Sequence, residues 1–158
     1  MTLLIILIAL LFPAVSSAQI PAVERLGNEA SKQKDVEYES VGSFMLGMAS
    51  TFADKEQRST FAMLKHIDLI ECRNAGYEQT LESRTMTIIN SIGAKFLASS
   101  TDERGRNDVY ILKSGNTVSD VIIITHGKSG GLAVVAMSGT IPYERLGELS
   151  KLGPPDRK

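Results

Sequence analysis

The chain has 158 residues, with 17 Lys and Arg set against 18 Asp and Glu, two His and one Cys. A net charge of −1 excludes the uncompensated positive field that nucleic acid or an anionic membrane surface requires. One cysteine excludes an internal disulfide or a multi-cysteine metal knot.

No charged residue falls within the first 18 positions. Residues 3–12 are ten consecutive apolar residues, LLIILIALLF, followed by Pro13 and then by Val15, Ser16, Ser17 and Ala18. Ser16 and Ala18 supply the small side chains that a signal peptidase needs, so residues 1–18 are expected to be a signal peptide cut between Ala18 and Gln19. As a helix, residues 3–15 would reach about 20 Å against about 30 Å of hydrocarbon, which favours export to the periplasm or exterior over a retained anchor. The membrane is then met only through the leader. Lipid attachment needs a cysteine at the cleavage site, and the lone Cys72 reads instead as a small core residue.

The mature chain begins with Ile20, Val23 and Leu26 recurring at threes around Pro21, the pattern of a short amphipathic helix over residues 21–30. Residues 36–41 alternate as a first strand. Ser43 is placed to cap a helix carrying Phe44, Met45, Met48, Ala49 and Phe52, and a second helix after Asp54 turns Phe61 and Leu64 inward. The Met and Phe stripe is expected to pack in the core. Residues 66–72 are β-rich and short. Residues 77–92 place Leu81, Ile88, Ile89 and Ile92 on one helical face, with Asn74 as a candidate cap and Gly93 as the stop.

Four strands are then predicted in succession, at residues 95–101, 107–113, 118–125 and 132–138, separated by short glycine-bearing links. Links this short join only antiparallel neighbours, so the second half is expected to be a meander. Residues 121–124 and 132–136 are continuously apolar, as in central strands covered on both sides. Pro142 opens a closing helix with Leu146, Leu149 and Leu152, and Gly153, Pro154 and Pro155 end it. The expected fold is α+β: a mainly antiparallel sheet with a C-terminal β-meander, helices packed on one face, and a closing C-terminal helix. Residues 19–153 are expected to form one domain, and residues 154–158 a disordered tail.

With its leader and short first helix, the segment SFMLGMASTFA, and the run from NDVYILKSGNTVSDVIIITHG to LAVVAMSGTIPYERLGELSKL, the chain resembles a family of small exported bacterial proteins catalogued as domain of unknown function 4252. The resemblance covers about residues 20–152. It implies an α+β fold and a periplasmic or surface location, and it brings no catalytic or binding residue to carry over. The leader that starts without charge and the loop at residues 127–131 depart from the family pattern.

That loop, Gly127-Lys128-Ser129-Gly130-Gly131, matches the G-x-S-x-G elbow of α/β hydrolases in form. The elbow leads from a strand into a helix, with acid and His following the Ser. Here a strand-like run follows, and no His occurs after Ser129. A protease-like order of His66, Asp102 or Asp108, and Ser129 can be written, but Lys128 stands where the acid belongs and the chain is too short for two barrels. A phosphate-binding loop fails because Ile122 occupies the position of its first glycine. His66 and His126 with Asp68, Glu71 or Asp120 would suit zinc, yet no ligand spacing supports them.

No catalytic, cofactor or metal residue is therefore assigned. The expectation is a non-catalytic binding or interaction module of the bacterial envelope, with an envelope protein or ligand as partner and no nucleic acid. The alternative is a small secreted hydrolase or metal-dependent enzyme using Ser129 with His66 or His126.

Overall fold

A computed structural model describes residues 20–149. The leader, its cleavage point, Leu152 of the expected closing helix and the tail lie outside the described residues. In chain order the elements are α1 (Pro21–Ala30), β1 (Val36–Gly42), α2 (Ser43–Phe52), α3 (Lys55–Phe61), β2 (Leu64–Cys72) and α4 (Glu78–Ile92). They are followed by β3 (Lys95–Thr101), β4 (Gly105–Ser114), β5 (Thr117–Gly127), β6 (Leu132–Pro142), a 3-10 turn (Tyr143–Arg145) and α5 (Leu146–Leu149).

The α+β fold is as expected. All six strands join one sheet in the order β1-β2-β6-β5-β4-β3, and every neighbouring pair is antiparallel. Strands β3 to β6 form the meander that their short links require, with Gly115 at φ 63° in the tightest of them. The strand β2 closes onto β6, pairing Cys72 with Leu132 and His66 with Ser138. That leaves β1 and β3 as the edges.

Side chains on a strand alternate between faces. Ile122, Ile124, Val134 and Ala136 therefore pack with Val23, Leu26 and Ala30 of α1 and Leu81 and Ile89 of α4 in one apolar cluster. Val121 and Met137 enter a second cluster with Leu46, Met63, Leu64, Ile111, Val118, Ile141 and Leu149. Helices α1 and α4 share one face, but α2, α3 and α5 meet the other, which corrects the expected packing of the helices on one face; the central strands are covered on both sides, as their continuously apolar runs lead one to expect. Cys72 is buried with its thiol free.

Several local expectations are corrected. Gly42, not Ser43, is the N-cap of α2, and no side-chain hydrogen bond caps it. Leu64 begins β2 instead of extending α3; it is buried there all the same. Asn74 caps a turn, because its Oδ1 accepts from the Gly76 amide while α4 starts after Tyr77. The most consequential correction concerns the Met and Phe stripe of α2, which is exposed: Phe44 is 76% and Phe52 90% accessible.

The corner between α3 and β2 crosses β6 at Gly139, where an added Cβ would stand 2.0 Å from the Met63 carbonyl oxygen. That oxygen also accepts a hydrogen bond from the Thr140 amide at 2.9 Å, so the backbone has little room to yield. Gly139→Ala is expected to lower stability by about 1–3 kcal/mol, read as a lower urea midpoint; an unchanged midpoint would show that the corner is loosely packed.

Candidate functional site

Helix α2 carries no charged side chain over its length. Phe44, Met48 and Phe52 fall four residues apart and so share one face, and Met45 lies beside them. All four are exposed, whereas Leu46 on the opposite side is 3% accessible and anchors the helix in the second apolar cluster. The far end is fixed by Arg58 of α3, whose Nε donates to the Ser50 carbonyl at 3.2 Å and Nη2 to the Ala53 carbonyl at 3.1 Å. These bonds satisfy acceptors that a helix C-terminus otherwise leaves open. The stripe is thus presented outward by a helix held at both its buried side and its end.

The sheet face beneath α2 is only partly covered. Register places Leu69, Val135, Ile123 and Val109 side by side across β2, β6, β5 and β4, and all four are half-buried. Val109, Ile123 and Val135 pack against the second apolar cluster and are left partly open to solvent.

A polar cluster occupies the other face. His66 Nε2 lies 2.8 Å from Ser40 Oγ and 3.3 Å from Asp68 Oδ1. The Tyr38 hydroxyl donates to Asp68 Oδ1 at 2.7 Å. In the row formed by His66, Ser138 and Asp120, Ser138 Oγ donates to Asp120 Oδ1 and Ser119 Oγ to Asp120 Oδ2, each at 2.7 Å. Ser, His and Asp thus meet, but not as a catalytic relay. A relay needs the acid on one ring nitrogen and the hydroxyl on the other; here both approach Nε2, and Nδ1 stands toward Gly42. The arrangement reads as satisfaction of a carboxylate, Asp68, that is only 2% accessible. Burial, aided by neighbouring Asp68, pushes the Tyr38 hydroxyl up to about 12.

His66 is brought neither to Ser129 nor to His126. His66 pairs with Ser138 and Cys72 with Leu132, so His66 stands about 20 Å along the sheet from the β5–β6 hairpin that bears Ser129. His126 lies near that hairpin, yet its Nε2 faces Glu82 Oε1 at 3.3 Å and Asp108 Oδ2 at 3.7 Å and makes no hydrogen bond of acceptable geometry. Ser129 is exposed. His66 and His126 are themselves at different ends, and among the described residues no group of three or more His, Cys, Asp or Glu could hold a metal ion. Glu71 pairs with Arg73. Of the weighed residues, His66 meets Asp68 and His126 approaches Asp108; Tyr38 and Ser40 join the first pair, and Ser138 stands beside His66 in register while bonding Asp120, all unannounced by any motif.

A family model, Domain of unknown function (DUF4252), matches residues 30–149, and the chain belongs to this family. No curated protein and no solved structure matches it significantly. The family match spans every strand and α2, so the stripe and the polar cluster both lie within its bounds.

The Tyr38 pKa links the cluster to stability. Its folded value is raised above the ordinary 10, so the stability gained by keeping the phenol neutral is complete below pH 10 and is lost as pH rises toward 12. Urea midpoints of the wild type are expected to fall across that window, and Tyr38→Phe to show a smaller fall; equal slopes would remove Tyr38 from the alkaline transition.

Proposed function

We propose that the chain is an exported, non-catalytic interaction domain of the cell envelope that binds its partner through the apolar face of α2. The observation that carries this reading is the outward stripe Phe44, Met45, Met48 and Phe52, the first and last of which are 76% and 90% accessible. Leaving these side chains in water forgoes on the order of 5 kcal/mol that burying them would return, so covering them in a complex is strongly favoured. The half-buried row Leu69, Val135, Ile123 and Val109 lies on the sheet face that α2 packs against through Leu46. The apolar leader at residues 3–12 supports export. Against a hydrolytic role stand the separation of Ser129 from His66 and the placement of Ser40 and Asp68 on a single nitrogen of that ring.

Photo-crosslinking in intact cells tests the binding face. A photoreactive residue at position 52 is expected to give adducts that one at position 103, in the far hairpin, does not. Equal yields at both positions would contradict a partner at α2.

A further inference from the structure

We infer, resting on the binding reading above, that the occupant of the α2 face is a second copy of this chain, joined across a two-fold axis with the two α2 helices antiparallel. The order of side chains along the stripe carries this. Phe44, Met48 and Phe52 read the same in both directions, with equal spacing on either side of Met48. A two-fold interface is self-complementary: where residue i meets j, j also meets i. Turning a second α2 about an axis at Met48 sets Phe44 against Phe52 of the partner subunit at both ends, and Met48 against its own copy in the middle. Aromatic rings pair favourably with one another, and thioethers pack well against them, so the contact is matched in kind along its length.

The stripe is also poor in what would select a different protein. Such partners are chosen by charge and by hydrogen-bond pattern. Helix α2 has no charged residue, so antiparallel pairing opposes no like charges along it. The hydroxyls of Ser50 and Thr51 are turned back to the Gly47 carbonyl, at 2.7 and 3.3 Å, and are not offered outward. Lys55 and Glu56, exposed just beyond the end of α2, put both signs at the border, as the polar rim of an interface does.

The extent of the surface agrees with a small dimer. Phe44, Met45, Met48 and Phe52 are between 49% and 90% accessible. At about 200 Å² for a whole side chain of this size they leave about 500 Å² open per copy. Two copies meeting through them bury about 1,000 Å², the lower limit for a specific interface. None of the four belongs to either apolar cluster. Parting the copies therefore opens neither core, and the pair exchanges with folded monomers.

Sedimentation of the full chain over a wide range of protein concentration tests the pair. A dimer that grows with concentration is expected, and Phe44→Ser with Phe52→Ser should weaken association about tenfold or more with unchanged circular dichroism. A short bismaleimide should join Met48→Cys chains to one another and leave Glu103→Cys chains single, Cys72 being buried. Because the leader is present in every variant, association that survives the double substitution would belong elsewhere and overturn the inference. A chain that stays monomeric throughout would overturn it too. If that monomer still gave adducts at position 52 in cells, to another protein or to lipid, the second copy would be removed and the binding face kept; no adducts there would remove both.

Discussion

Strands β5 and β6 are apolar on both faces, at Val121 to Ile124 and at Val134 to Met137, and this demand for cover on two sides organises the molecule. Ile122, Ile124, Val134 and Ala136 are closed over by α1 and α4. On the other face, α2, α3 and α5 bury Val121, Met137 and Ile141, but the next row toward the far end remains half-open. The short helices are therefore required by the sheet, and α2 meets the requirement with a single side chain, Leu46. Phe44 and Phe52 stand outside that requirement, and their exposure is what supports the binding reading.

The buried carboxylate Asp68 shows a second constraint at work. A strand that places an acid among apolar neighbours must supply hydrogen bonds to it, and Tyr38 and His66 do so. The resulting Ser, His and Asp cluster imitates a catalytic site in composition while lacking its geometry. Two polar groups competing for Nε2 stabilise a structure; they do not hand a proton from one side of the ring to the other.

Much of the fold was legible in the sequence because period and link length are local properties. The alternation after residue 94, with glycine in each short link, leads to the antiparallel meander, and the doubly apolar runs of β5 and β6 correctly place them inside the sheet. Cys72 was legible as core for want of a partner. The stripe of α2 was not, because spacing by fours shows that Phe44, Met48 and Phe52 share a side without showing which side faces the protein. Leu46 makes the opposite side apolar too, so periodicity had two answers. The polar cluster was also beyond the sequence: His66 and Asp68 alternate visibly, but Ser40, Ser138 and Asp120 meet them only through the registers of β1, β6 and β5. No motif spans such distances.

The central claim is that the fold needs Leu46 and does not need the outward stripe, which is therefore available to a partner. Urea denaturation of the full chain compares the two sides of α2 directly. Leu46→Ala should cost about 2–5 kcal/mol, the usual range for emptying a buried leucine site. Phe44→Ser combined with Phe52→Ser should leave stability within about 0.5 kcal/mol of the wild type, as exposed substitutions do. If the double variant instead lost as much stability as Leu46→Ala, the stripe would belong to the core and the binding face would not exist.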